Sequence, residues 1–320
     1  MFELASKLLW PLLAVFAALL VGSVIRLLAL RRAPPDIAQL RRGSLLVWWI
    51  LLLLLTAALL LGKAGLATLL CLLGVLAVRE FQQLFAKVSR DAGRLAWVII
   101  FLGVGHYSLL VFTASWWPLA AFPWLALVGI SSAQILAGRT DGYLRTTAGY
   151  WWAAMLFFLG PSYGIVLMQL PAASHSLQIG PLGWPLFVLL LTEADDIAQA
   201  LWGRRLGRHR MLPTISPGKS WEGFAGGLVS TTVLACGLAP WLTGLTAGRS
   251  WGAGLALSLG AAAAITLAGF LGDVNMSALK REAGVKDSGS LLPGMGGIID
   301  RLDSLTLTAP AMYYYALACA

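Results

Sequence analysis

Charge is scarce in this sequence. Only 12% of its 320 residues are Asp, Glu, Lys or Arg, while 59% are hydrophobic; a soluble globular chain carries about 25% charge. That shortage excludes an ordinary soluble globule and predicts an integral, polytopic membrane protein. Cysteine is scarce too. Cys71, Cys236 and Cys319 all lie in apolar stretches without C-x-x-C or Cys/His spacing, which excludes a disulfide framework and a zinc site and leaves three packing residues. The histidines are as thinly spread: His106 sits within an apolar stretch, His175 in a loop and His209 among arginines, none beside acids in sequence, so each reads as structural. No serine occupies a G-x-S-x-G elbow, which removes acyl-enzyme chemistry. Repeats and low-complexity linkers are missing as well. The net charge of +9 does not imply nucleic acid, because no basic run is interleaved with aromatics and the cations sit in short segments between apolar spans.

What is present is a series of apolar runs. Candidate spans cover 8–30, 44–61, 64–78, 95–113, 118–137, 148–170, 184–200, 223–245, 251–272 and 304–319, each read against the ~20 residues needed to cross a hydrocarbon core. The expectation is an all-α bundle of about ten transmembrane helices, the third the shortest. Lys7 ahead of the first run imitates a signal peptide, but no small-x-small cleavage site ends that run, and a retained helix is expected. If the N-terminus is outside, segments 31–43, 79–94, 138–147, 201–222 and 273–303 are cytoplasmic and hold 19 of the 23 Lys and Arg residues, which is the positive-inside pattern. Tryptophans such as Trp48, Trp49, Trp116, Trp117, Trp151 and Trp152 fall at span ends and read as interfacial anchors. We expect one membrane domain over 1–320. Residues 1–180 carry little beyond span and loop, and 181–320 form the catalytic half.

The polar residues that remain are concentrated in three stretches. In the first, 273–304, a helix starting at Asp273 would put Ser277, Lys280 and Arg281 on one face with it, and Gly284 would end it. Lys286 and Asp287 follow, then a turn containing Pro293, Gly294, Gly296 and Gly297, then Asp300, Arg301 and Asp303. Separated carboxylates among cations and glycine turns are the donor set of a magnesium-bound polyphosphate, so the stretch reads as a phosphoryl or nucleotidyl site. The second stretch, 193–210, places Glu193, Asp195 and Asp196 at the inner end of a span; intramembrane acids are costly and point to function, unless they simply pair with Arg204, Arg205 and Arg208. The third, 216–223, reads S-P-G-K-S-W-E-G. Its G-K-S is not a P-loop, because Pro213 stands where glycine is required and no strand is expected before it in a helix bundle. A tight turn presenting Ser216 and Lys219 to phosphates is expected instead, with Ser220 available as a helix cap.

Together these motifs resemble a family. S-x-x-K-R-x-x-x-x-K-D (Ser277, Lys280, Arg281, Lys286, Asp287), P-G-x-G-G (Pro293 to Gly297) and D-R-x-D-S (Asp300, Arg301, Asp303, Ser304) are similar to the C-terminal signature of the phosphatidate cytidylyltransferases, or CDP-diacylglycerol synthases. S-P-G-K-S-W-E-G is similar to that family's S-P-x-K-T-x-E-G, and Asp196, Gly203 and Gly207 match its acidic and glycine-basic stretch. One position departs: Met295 stands where the family usually has histidine.

The resemblance implies the reaction CTP + phosphatidate → CDP-diacylglycerol + pyrophosphate at the cytoplasmic face of a bacterial inner membrane. It implies Asp273 and Asp300 as magnesium ligands, with a second, monovalent ion left open. It implies Lys280, Arg281, Lys286 and Lys219 around the triphosphate, Ser216, Ser277 and Asp196 among the nucleotide contacts, Arg301 at the lipid headgroup, and Asp287 and Asp303 orienting the cations. A homodimer is within the expectation. Two other readings stay open, a different CTP-dependent lipid transferase of the polyprenol kinase or CDP-archaeol synthase type, and a non-catalytic lipid-binding or transport relative.

Overall fold

The structure, a computed structural model, describes residues 2–31, 34–85, 92–113, 115–172 and 179–319. His175 lies outside them. The chain forms helices α1 (Phe2–Leu30), α2 (Pro35–Leu60), α3 (Gly62–Phe85), α4 (Ala92–Phe112), α5 (Trp117–Ile135), α6 (Tyr143–Ala154), α7 (Gly160–Val166), α8 (Gly183–Leu206), α9 (Trp221–Leu242), α10 (Trp251–Glu282), α11 (Ile299–Leu302) and α12 (Leu305–Cys319). Among the described residues seven helical stretches are long and apolar enough to cross a membrane: Arg41–Leu60, Gly62–Phe85, Gly93–Phe112, Trp117–Ile135, Tyr143–Gln169, Trp221–Leu242 and Trp251–Glu282. Leu12–Leu28 is a shorter apolar helix. Large side chains such as Phe101, Phe112 and Leu136 point outward, as they do where hydrocarbon rather than water is the solvent. The protein is an all-α polytopic membrane bundle.

The structure redraws several of the expected spans. Besides the first span, shortened to Leu12–Leu28, two expected spans are absent from the seven, and both are informative: α8 interrupts its apolar run with Glu193, Asp195 and Asp196, and α12 is only 15 residues long. The third span, expected over 64–78, is a 24-residue helix that continues through Arg79 and Glu80 to Phe85. Charge ended the hydropathy run there, yet it does not end a helix: the Arg79 guanidinium lies 4.0 Å over the Trp97 ring, a cation–π contact that keeps the cation on the helix surface. The span at 148–170 is continuous in direction but not in winding, because a π-helical turn, Met155–Leu159, separates α6 from α7. Where no strand was expected, a two-stranded hairpin forms, β1 (Arg210–Leu212) pairing antiparallel with β2 (Ser216–Ser220). It links α8 to α9 outside the apolar runs, where helix is no longer the only way to satisfy the backbone.

Helices α8, α9, α10 and α12 pack together, and a buried carboxylate pins three of them. Asp195, 1% exposed, accepts from Thr231 of α9 at 3.0 Å and Thr266 of α10 at 2.9 Å through Oδ1, and from Gln199 at 2.7 Å through Oδ2. A buried carboxylate needs such donors. Asp195 is therefore a packing hub, partnered by hydroxyls and an amide rather than by the arginines that follow it in sequence.

Candidate active site

The hairpin sets the position of Lys219. Ser220 ends β2 and caps α9 by accepting from the Gly223 N–H at 3.2 Å, the cap its sequence context predicts. Glu222 accepts from the Arg208 N–H at 3.0 Å and lies 2.6 Å from His209 Nδ1. His209 thus has an acidic partner that its immediate sequence neighbours do not supply, and the pair holds the start of the hairpin onto α9. So tethered, β2 turns Lys219 inward. Its Nζ lies 2.7 Å from Asp273 Oδ2 and 3.2 Å from Gln199 Oε1. Burial alone would lower the ammonium's pKa, but Asp273, with Asp196 and Asp303 nearby, raises it above the usual lysine value.

The opposite wall comes from α10 and the segment after it. Helix α10 runs unbroken from the membrane into the polar motif and ends before Gly284, whose φ of +71° only glycine adopts readily. Ser277 lies 3.5 Å from Asp273, the edge of hydrogen bonding. Lys280 and Arg281 leave the same helix end for different partners: Lys280 Nζ is 2.6 Å from Asp300 Oδ1, whereas Arg281 Nε donates to the Ile215 carbonyl of the hairpin at 3.3 Å. Asp300 Oδ2 accepts from the Ser288 N–H and Oγ, both at 2.9 Å, and from the Gly297 N–H at 3.0 Å. Burial would raise the Asp300 pKa; the Lys280 bond and the two backbone donors outweigh it and hold the carboxyl below the usual range. Four residues on, Ser304 donates to Asp196 Oδ2 at 2.7 Å and joins α8 to this segment. Burial first, then the Asp273 and Asp196 carboxylates, push Asp303 up to about 8, with Arg301 and the Ser304 N–H opposing.

These walls enclose a cleft of about 890 Å³, ample for a nucleotide. Of the residues predicted from sequence it brings together Asp196, Ser216, Lys219, Asp273, Asp300, Arg301 and Asp303 along one lining. Ser277, Lys280, Arg281, Lys286 and Asp287 fall outside that lining, with Lys286 and Asp287 exposed. Sequence reasoning missed Trp48 of α2, which reaches the cleft from the half assigned only spans and loops, and Arg210 at its edge. A second, apolar cavity of about 650 Å³ runs among α1, α2, α3, α7, α8 and α12. Trp48, Glu193, Ile197, Arg301 and Leu305 line both cavities, and Arg301 Nε is buried there with no hydrogen-bond partner among the described residues.

Among the described residues no three His, Cys, Asp or Glu side chains form a ready metal cage. The donor chemistry still fits magnesium, which characteristically takes one or two carboxylates and completes its shell with water and substrate phosphate. Asp273, Asp196 and Asp303 are hard oxygen donors, and the first two lie near enough to Asp303 to raise its proton affinity, the repulsion that a divalent cation relieves.

Comparison with known proteins agrees with this geometry. The chain is 38% identical over 214 residues to the uncharacterized protein YnbB of Escherichia coli, covering 67% of this chain and 68% of that one. It is 34% identical over 211 residues to a phosphatidate cytidylyltransferase of Haemophilus influenzae (66% and 69% covered) and 35% identical over 234 residues to one of Pseudomonas aeruginosa (70% and 78% covered). Residues 43–319, which include every wall of the cleft, match the cytidylyltransferase family, and the chain belongs to that family.

Proposed function

We propose that this chain is a phosphatidate cytidylyltransferase of a bacterial inner membrane, its cleft open to the cytoplasm. The observation that carries the reading is the position of Arg301, where a polar cleft of nucleotide size meets an apolar groove. A soluble anionic substrate and a lipid anion need such a junction if they are to react. An acceptor with its chains in the groove would bring its phosphate to the guanidinium, whose Nε has a free donor. Lys219 is the one cation of the four expected at the triphosphate that lines the cleft, so it takes the nucleotide's phosphates. Lys280 and Arg281 act from behind, the first through Asp300 and the second through the hairpin.

In the reaction an oxygen of the lipid phosphate bonds to the α-phosphorus of CTP, the α–β phosphoanhydride bond breaks, and pyrophosphate leaves with the bonding electrons. The chain's own residues contribute orientation and charge complementarity. Magnesium, held by Asp273 with Asp196 or Asp303, would supply further neutralisation of the phosphates. Asp300 is less available for that role than the sequence suggests, since both its oxygens are taken by Lys280, Ser288 and Gly297. The orientation is supported by the sequence distribution of Lys and Arg, since 201–222 and 273–303, the segments that supply Lys219, Asp273, Asp300 and Arg301 to the cleft, belong to the set of alternate segments that holds 19 of the 23.

The test is transfer of label from CTP by the purified full chain, with phosphatidate, polyprenol and archaeal ether-lipid acceptors supplied in parallel. We expect α-phosphorus label in lipid with phosphatidate, and one pyrophosphate per turnover. Transfer of γ-phosphorus label to polyprenol, a preference for the ether-lipid acceptor, or no transfer at all would each overturn the reading.

A further inference from the structure

Glu80 lies on α3, more than a hundred residues before the first polar motif, and is buried to 6% exposure. Its carboxylate is spent entirely on Ser288 and on the backbone where α11 begins. Oε1 accepts from the Ile298 N–H at 2.8 Å, and Oε2 accepts from the Ile299 N–H at 3.0 Å and lies 3.1 Å from Ser288 Oγ. Ser288 Oγ also stands 2.9 Å from Asp300 Oδ2. One hydroxyl, with one proton, therefore lies between the Glu80 carboxylate and the Asp300 carboxylate that holds Lys280.

The same carboxylate explains two glycines. A Cβ at Gly289 would stand 2.8 Å from Glu80 Oε1, and a Cβ at Gly297 would run into Glu80 Oε2 and Ser288 Oγ. Backbone passing this close to a buried carboxylate has no room for a side chain. Burying a carboxylate is costly unless donors satisfy it, and an apolar residue would pack against α11 without that cost. What it would lack is a fixed acceptor for two consecutive N–H groups. We infer that Glu80 is a positioning residue for nucleotidyl transfer: it fixes 288–299, and through that segment Asp300, Arg301 and Asp303, relative to the cleft. This rests on the transfer activity proposed above.

The experiment uses the full chain in phosphatidate-containing nanodiscs and compares wild type with Glu80→Gln, Glu80→Ala, Gly297→Ala and the double variant Glu80→Ala/Gly297→Ala. Two readouts are taken, CTP turnover per folded molecule and hydrogen exchange of the 287–300 backbone. Glu80→Gln keeps the shape but turns one acceptor oxygen into a donor facing N–H groups. It should speed exchange at Ile298 and Ile299 at least tenfold and lower kcat by about 100-fold, the effect of a small misplacement of reacting groups, while KM for CTP moves less than about threefold, since Lys219 is untouched. Gly297→Ala should lose as much, and the loss should not add in the double variant, because both changes act on one contact. A Glu80→Gln protein with a lowered melting temperature but wild-type kcat, or with unchanged exchange, overturns the inference, and so does full additivity. If Glu80→Gln does not fold, Glu80→Asp, which keeps both acceptor oxygens, carries the comparison; it must show faster exchange and a kcat loss, and wild-type values for both would sink the inference. A wild type unable to turn over CTP removes the proposed function, and the exchange data then decide the clamp alone.

Discussion

Lys219 Nζ and Asp273 Oδ2 meet at 2.7 Å across 54 residues of sequence, each the charged centre of a different polar motif. The pair is largely buried, so neither charge can be removed without leaving the other in need of a partner. Around Lys219 that need is partly met by Asp196 and Asp303. Substrate phosphate and a divalent cation would take over the two halves, phosphate at the ammonium and cation at the carboxylate. The first expectation is that Lys219→Met lowers kcat/KM for CTP by about 100- to 1,000-fold, the usual effect of deleting one charged donor to a developing oxyanion. Steady-state turnover in mixed micelles measures it, and a loss under threefold would take Lys219 out of the nucleotide site.

The two aspartates once expected to act alike should separate on a magnesium titration. Asp273→Asn removes a cleft-facing carboxylate, and turnover should fall by several hundred-fold or more, with the magnesium concentration for half-activity raised. Asp300→Asn breaks the contact with Lys280 and the segment lock, so kcat should fall by at least about tenfold, the range of lost orientation, with the magnesium requirement unchanged. The opposite pattern would return Asp300 to the role of ligand.

Arg301 should be read out on the lipid. Arg301→Gln is expected to raise the KM for phosphatidate by at least about tenfold, the equivalent of one charge-assisted hydrogen bond, and to leave KM for CTP within threefold. Surface-dilution kinetics with phosphatidate in detergent micelles separates the two. Equal effects on both substrates would place the guanidinium at the nucleotide rather than at the junction of the cavities.

How much of this was legible in the sequence depends on whether a residue's partner is local. The helical turn from Asp273 to Arg281, its end at Gly284 and the Ser220 cap follow from spacing and backbone preference within a few residues and are found, but no helix starts at Asp273: that turn is the continuation of α10 from Trp251. Lys280 and Arg281 share a helix end, so periodicity could group them but could not show that one turns to Asp300 and the other to Ile215. The hairpin was hidden because its strands are short, lack apolar alternation, and carry Pro217 and Gly218. Glu80 was hidden more thoroughly: an acid just past an apolar run looks like the start of a loop, and its three donors lie more than 200 residues downstream.

Orientation in the membrane is tested by single-cysteine variants, made after replacing Cys71, Cys236 and Cys319. Asp287→Cys lies on an exposed position beside the cleft, and Ala247→Cys on an exposed position in the connection between α9 and α10. In sealed cells an impermeant thiol reagent should label position 247 and spare 287 until the membrane is broken. Labelling of 287 from outside would reverse the topology and remove the supply of CTP, a cytoplasmic nucleotide.

Met295 is the position where the resemblance breaks, and its surroundings decide how much that matters. It sits in the turn closed by the Leu292 N–H to the Gly296 carbonyl at 2.9 Å, with its own N–H donating to the Leu292 carbonyl at 2.9 Å. Gly294 and Gly296, at φ +71° and +84°, make the turn possible on either side. The side chain is half-buried and does not line the cleft, so a histidine placed there would not face the reacting phosphates in this arrangement. Chemistry points the same way. A phosphate monoester has its second pKa near ~6, so at pH 7 the attacking lipid phosphate is already mostly dianionic and needs no general base. The wild-type chain should therefore be active, and Met295→His should change kcat/KM by no more than about tenfold, the size of one modest hydrogen bond to a charged group. Turnover of CTP with phosphatidate for both versions, from about pH 6 to 9 so as to span the phosphate and imidazole pKa values, measures this. A silent wild type beside a briskly active Met295→His would make that histidine an obligatory base and would move this chain among relatives that have lost the reaction.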